Sequence, residues 1–193
     1  FEYLKRPAEI RRKWLRDKFG LLDAPLIPRP SYLIWVHAVS VGEVMAASPL
    51  LKKLRERYPG RSIIFSTITD TGQKVARERA PEGTAVVYLP FDIPFILNNV
   101  LNRVKPDLLI VIETELWPNL IRAFNDKGIP VLLLNGRISE KSFKGYKKVS
   151  RFMKKVLSHV DFFGMQSEEY ADRIRQLGVD ANRVMTLGNF KFD

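Results

Sequence analysis

The side chains in this sequence best suited to chemistry are acids and bases that stand just after apolar runs. Ser40, Gly42 and Glu43 follow the run 32–36 and precede the amphipathic stretch 44–58. That order predicts a strand, a short polar turn and a helix. The first N–H groups of a helix lack internal partners and carry partial positive charge, so such a turn suits an anionic ligand. A carboxylate there gains from the helix dipole and stays ionised near neutral pH. Held at a crevice, Glu43 would accept a proton from a substrate hydroxyl. Its plainer role is to stabilise the first helical turn.

Similar clusters recur along the chain. Segment 67–72 carries Thr69, Thr71 and Gly72, and segment 113–119 carries Glu113 and Glu115. Segment 135–139 carries Asn135, Arg137 and Ser139, and segment 188–193 carries Lys191. Local explanations exist for several of these residues. Thr69, Asp70, Ser139 and Ser167 suit helix caps, Thr114 suits another, and Pro118 suits the first helical position. Capping does not require Glu113 directly after Ile112, nor Arg137, nor Lys191. An edge with both acids and bases fits a polar, partly anionic substrate.

The elements that must position these residues alternate. Apolar runs of strand length fall at 32–37, 62–66, 85–89, 108–112, 131–134, 161–165 and 184–187. Between them, apolar residues recur at helical spacing: Val44, Ala47, Leu51 and Leu54; Phe95, Val100, Leu101 and Val104; Leu120, Ile121 and Phe124; Val149, Phe152, Met153 and Val156. Continuous apolar strands imply burial on both faces. The alternation predicts an α/β fold, a Rossmann-like parallel sheet with helices on both faces. Ligands of such sheets bind outside the carboxyl ends of the strands, where every cluster named above falls.

Residues 1–30 read as a basic amphipathic arm and linker, and 31–193 as the Rossmann-like domain. In the arm, Leu4, Ile10, Trp14 and Leu15 stand among seven cations, Pro7 suits a helix start and Gly20 its end. The helix either lies on an anionic membrane or packs on the domain through its Trp. Pro25, Pro28 and Pro30 make an extended linker. A second basic stretch from Arg137 to Lys155 is either a solvated helix face or a surface for phosphates and lipid head groups.

The net charge of +11 points to an anionic partner. The absence of cysteine excludes disulfides and thiolate metal sites, and two histidines make a His-rich zinc site improbable. No run approaches the roughly 20 apolar residues of a transmembrane helix. No loop matches the dinucleotide fingerprint or Walker A pattern, and the acids have no dedicated Ca²⁺ or Mg²⁺ spacing.

Five segments, in order, resemble the N-terminal half of the 3-deoxy-D-manno-octulosonic acid (Kdo) transferases. They are Trp35-Val36-His37-Ala38-Val39-Ser40-Val41-Gly42-Glu43, Thr67-Ile68-Thr69-Asp70-Thr71-Gly72, Glu113-Thr114-Glu115-Leu116-Trp117-Pro118-Asn119, Asn135-Gly136-Arg137-Ile138-Ser139 and Gly188-Asn189-Phe190-Lys191-Phe192-Asp193. The resemblance implies the N-terminal, acceptor-binding half of a GT-B fold, working at the cytoplasmic face of the bacterial inner membrane. It implies an inverting transfer of Kdo from CMP-Kdo to lipid A precursor (lipid IVA), in lipopolysaccharide biosynthesis, with no bound metal and no cofactor. Under it, Glu43 corresponds to the general base, and Glu113 and Lys191 to residues that stabilise the transition state. Ser40, Gly42, Thr69, Thr71, Gly72, Glu115, Asn135, Arg137 and Ser139 are the expected substrate-binding positions. The family carries a second, nucleotide-binding domain and an N-terminal hydrophobic anchor, which are absent from this chain, so the chain alone is expected to be inactive.

Two other readings stand beside it. The charge suits a module for anionic surfaces or nucleic acid, although aromatic-interleaved RNA-binding signatures are missing and no nucleic acid is expected. A GT-B transferase of other specificity would share the fold.

Overall fold

The computed structural model describes residues 6–22 and 32–190. Seven strands form one parallel sheet in the order β3-β2-β1-β4-β5-β6-β7. They are β1 (Leu33–His37), β2 (Ser62–Thr67), β3 (Thr84–Tyr88), β4 (Leu108–Ile112), β5 (Val131–Gly136), β6 (Phe162–Met165) and β7 (Val184–Thr186). Every strand matches an apolar run of the sequence to within a residue or two. The helices among the described residues are α1 (Ala8–Lys18), α2 (Val41–Arg57), α3 (Asp70–Arg79), α4 (Pro94–Val104), α5 (Pro118–Asn125), α6 (Glu140–Lys148), α7 (Ser150–Ser158) and α8 (Glu168–Gln176).

Strand periodicity divides the core in two. Ile34 and Val36 of β1 join Val44, Ala47 and Leu51 of α2 and Ala76 of α3 on one face. Leu33 and Trp35 join residues of α4, α5, α7 and α8 on the other. Burying all five residues of β1 is the two-sided cover that continuous apolar strands require.

Strand β1 pairs with β2 on one side and β4 on the other. The strand order reverses between β1 and β4, and this is where open parallel sheets form their ligand crevice. The turns after these two strands carry Glu43, Glu113 and Glu115.

Helix α3 has no apolar stripe, which is why its period is weak in the sequence. It packs with small and polar residues: Gly72, Gln73 and Ala76 are buried. Gln73 accepts from Thr67 Oγ1 at 2.6 Å and donates to Val86 O at 3.3 Å. The long basic stretch is two helices, α6 and α7, broken at Val149, and α6 has no buried residue.

The basic arm packs through its Trp. Trp14 is buried and meets Phe91 edge-on at 6.0 Å. Asp17 accepts from Tyr88 N at 3.0 Å, Phe91 N donates to Lys18 O at 2.9 Å, and Arg6 pairs with Asp70. Arg12, Leu15, Arg16 and Phe19 stay exposed on the outer side of α1.

Helix α5 is not capped by Thr114, contrary to the expectation from sequence. Its N-terminus is capped by Asp92 from the turn after β3, which accepts from Leu120 N at 2.7 Å and Asn119 N at 3.3 Å. Asn119 Nδ2 returns a bond to Asp92 O at 2.8 Å. Loss of such a cap costs about 1–2 kcal/mol, or about 3–6 °C in a domain of this size. Asp92→Ala is therefore expected to lower the melting temperature by that amount in a calorimetric scan. An unchanged transition would mean the turn is not anchored this way.

Candidate active site

Ser40 is the N-cap of α2, and its Oγ accepts from Glu43 N at 3.4 Å. Glu43 reaches back: Oε1 accepts from Ser40 Oγ at 2.7 Å and Oε2 from Val39 N at 2.7 Å. This is a reciprocal capping box, so the plainer role read from sequence is present. The residue is also only 6 % exposed. Burial raises its pKa above the usual carboxylate value, the bonds from Val39 and Ser40 pull it down, and the charge of Glu113 adds to the rise. The helix-terminal dipole alone would have kept it low. Desolvation and a like charge oppose that tendency and make Glu43 a better proton acceptor. Gly42 lies exposed in the same helical turn.

Glu113 follows β4 with φ of 59°. Left-handed backbone is rare for an unbranched acidic residue and costs energy, and such strain gathers at functional sites. Its N–H bonds Leu134 O at 2.8 Å, which holds the residue against β5. The side chain is largely covered and pairs with Arg137 Nε at 3.1 Å. Thr114 Oγ1 accepts from Arg137 N at 3.0 Å and donates to Arg137 O. The hydroxyl the sequence offered as a cap instead latches the turn after β5 to the turn after β4.

Glu115 is half-buried. Its pKa rises to about 7, first through burial and then through the charges of Glu43 and Glu113. The three acids therefore lie within one electrostatic field. The sign of the resulting linkage follows from the raised value. Between pH 4.5 and about 7 the native chain holds a proton at Glu115 that the unfolded chain releases, so stability falls as pH rises through this window. With solvent screening of a half-exposed group allowed for, the effect is about 1–2 kcal/mol. Glu115→Gln should melt with the parent near pH 4 and about 3–6 °C above it near pH 8. A difference of the opposite sign would place Glu115 in a cationic or solvated setting.

Asn135 has φ of 57° where the register of β5 against β6 shifts. It is fully buried, and its Oδ1 accepts from Phe190 N at 3.1 Å. That bond ties the end of the described chain to the sheet edge. Lys191 follows directly and lies outside the described residues. Ser139 caps α6, accepting from Ser142 N at 3.1 Å.

A cavity of about 320 Å³ opens beside these turns. Glu113, Glu115, Arg137 and Ser139 line it, as the sequence expectation of one shared edge requires. So do Thr114, Ser142, Tyr146 and Tyr170, which sequence reading did not assign to a site. The only signal for Tyr146 was an aromatic residue interrupting the second basic stretch. Glu43 is not part of the lining and reaches the cavity acids through its field. The remaining expected positions sit elsewhere. Thr69 caps α3 through Gly72 N at 3.0 Å and donates to Val39 O at 3.3 Å, and Thr71 is exposed. Gly72 is needed there because a Cβ would sit 2.7 Å from Thr69 Oγ1. Thr69 and Gly72 support the Ser40 turn from outside the cavity.

His37, at the end of β1, is fully buried with Nδ1 2.9 Å from Ser66 Oγ. Burial, helped by Lys18, lowers its pKa to about 3. It is a neutral support that meets Trp117 edge-on at 6.4 Å. Among the described residues no group of three or more His, Cys, Asp or Glu is placed to hold a metal ion, and no helix is long and apolar enough to cross a membrane.

Solved structures share the architecture. The UDP-GlcNAc 2-epimerase of Methanocaldococcus jannaschii superposes with a TM-score of 0.60 at 15% identity, over 81% of this chain and 45% of that one. The UDP-GlcNAc 2-epimerase of Neisseria meningitidis gives 0.59 at 13% identity, over 82% and 47%. At such identities the likeness shows the fold: one Rossmann-like half of a GT-B arrangement. Sequence similarity goes further. The 3-deoxy-D-manno-octulosonic acid transferase of Haemophilus influenzae is 36% identical over 182 residues, 94% of this chain and 42% of its own length. The Bifunctional glycosyltransferase/methyltransferase of Fusobacterium nucleatum is 40% identical over 161 residues, 82% of this chain and 25% of its own. The chain thus spans less than half the length of these curated relatives. The family model described as 3-Deoxy-D-manno-octulosonic-acid transferase (kdotransferase) matches residues 13–193, and the chain belongs to that family.

Proposed function

We propose that this chain is the acceptor-binding half of a transferase that moves Kdo from CMP-Kdo to a hydroxyl of lipid A precursor (lipid IVA) in lipopolysaccharide biosynthesis. The observation that carries the reading is that the turns after the paired strands β1 and β4 carry the capping-box acid Glu43 and the cavity-lining acids Glu113 and Glu115, in a member of this family. In the reaction the acceptor O–H bond breaks as its oxygen attacks the anomeric carbon from the face opposite CMP. The anomeric C–O bond to phosphate breaks, configuration inverts, and CMP leaves with the bonding pair. Glu43 takes the proton, its two oxygens aimed by Val39 N and Ser40 Oγ. Each oxygen has a lone pair left for the incoming hydroxyl. Glu113, positioned by its strained backbone, faces positive charge developing at the anomeric carbon. Lys191 offsets charge on the leaving phosphate or the sugar carboxylate. CMP-Kdo is held by a second domain, and the step requires no metal or cofactor.

The reading places the protein at the cytoplasmic face of the inner membrane, where a lipid acceptor is presented. Exposed Phe19, Leu21, Ile93 and Phe95, with Arg12 and Arg16 on the outer side of α1, support contact with an anionic bilayer. The test is to join the chain to the C-terminal half of the Haemophilus influenzae relative and supply CMP-Kdo with lipid IVA. Addition of Kdo to the acceptor, seen by mass, is the expected result. Transfer from a UDP-sugar with none from CMP-Kdo would point to a GT-B enzyme of other specificity.

A further inference from the structure

The cavity has walls of different chemistry. On one side stand Glu115 and the Glu113–Arg137 pair. On the other stand two aromatic rings, Tyr146 on α6 and Tyr170 on α8, with Ser142 one turn before Tyr146. Both rings are half-buried. Tyr170 is pinned: the guanidinium of Arg173 lies 5.6 Å from its ring centre, and Arg173 also bonds Ile138 O and Glu169. Tyr146 lines the same cavity as Glu115, and burial, with the charge of Glu115 added, raises its phenol's pKa. Helix α6 has no fully buried residue; Phe143 and Tyr146 pack partly buried against the core, and Tyr146 and Ser142 also line the cavity.

The charge balance narrows the ligand. Two acids line the cavity, and Arg137, the one cation of that lining, is already paired with one of them. A phosphate or a sugar carboxylate would be repelled from the interior. A neutral polyhydroxy ring fits: its C–H edges meet the negative faces of aromatic rings, and its hydroxyls donate to carboxylate and accept from phenol and serine. We propose that the cavity seats one neutral hexopyranose ring of the acceptor, with Tyr146 and Tyr170 as its specificity-determining side chains and the acceptor's phosphates left outside. This rests on the function proposed above and deepens it by naming the subsite.

The test uses the 193-residue chain and two soluble probes: a β-1,6-linked glucosamine disaccharide carrying N-acetyl groups and no phosphate, and its bisphosphorylated form without acyl chains. Affinities are read by calorimetry. Tyr146→Ala and Tyr170→Ala are each expected to weaken both probes about fivefold to tenfold. Tyr146→Phe keeps the ring and should lose about threefold or less. Tyr58→Ala, an exposed aromatic at the far end of α2, should change nothing. Circular dichroism and melting check that each variant is folded, and if an Ala variant is not, Tyr146→Leu and Tyr170→Leu, which keep apolar bulk but remove the ring, carry the test with the same expected loss. Wild-type binding indifferent to Tyr146 and Tyr170 overturns this inference and leaves Kdo transfer standing. So does binding that is lost when the phosphates are removed. If the wild type binds neither probe at millimolar concentrations, the inference falls, and the joined two-domain protein then decides the wider reading by whether it still transfers Kdo.

Discussion

Glu43→Gln in the joined two-domain protein is expected to lower Kdo transfer about 10²- to 10⁴-fold, the range a positioned general base contributes. The substitution separates the two roles of this side chain. Glutamine completes a capping box as well as glutamate does, so the bonds from Val39 N or Ser40 Oγ to the side-chain oxygen persist. The fold and the acceptor affinity should hold, with the loss in kcat. Transfer at the parental rate would leave Glu43 as a helix cap and nothing more.

Glu113→Gln is expected to cost about 10²-fold in kcat, as removal of one preorganised electrostatic group does. It also has a second signature. The charge of Glu113 raises the pKa of both Glu43 and Glu115. Neutralising it should therefore move the acid limb of the pH–rate profile to lower pH, because the base then loses its proton more easily. A reduced rate with an unmoved acid limb would mean that Glu113 acts elsewhere than in the field of Glu43.

The sheet was legible because its central strands β1, β2 and β4 are buried on both faces and so are mostly apolar, while the edge strand β7 keeps an apolar run although Met185 and Thr186 are exposed. Chain order and strand type together placed the polar turns on one edge. Helix α3 was not legible from apolar period, since it packs through Gly72, Gln73 and Ala76. Its Thr69 cap was visible for the ordinary reason that a hydroxyl before a helix is useful. The sequence offered Thr114 as a cap, but a carboxylate from a distant turn, Asp92, takes that position. Pairings across about 27 residues of chain leave no local pattern. The same holds for the site. Glu113, Glu115, Arg137 and Ser139 were readable as one edge and do line one cavity. Thr69 and Gly72 share the edge but meet the neighbouring turn, and Thr71 is exposed. Tyr146 and Tyr170 come from helices whose placement over the cavity depends on the break at Val149 and on Arg173, which only the folded chain brings together.

The central claim is that the turns after β1 and β4 together face one bound acceptor. The most direct measurement is to titrate the isotope-labelled 193-residue chain with the bisphosphorylated glucosamine disaccharide and follow backbone amides and Glu side-chain carboxyls by NMR. The largest shifts are expected at residues 39–43, 113–115 and 137–142, with the carboxyl resonances of Glu43, Glu113 and Glu115 moving together. Shifts confined to α1 and the basic side of α7, with the Glu43 carboxyl unmoved, would contradict it.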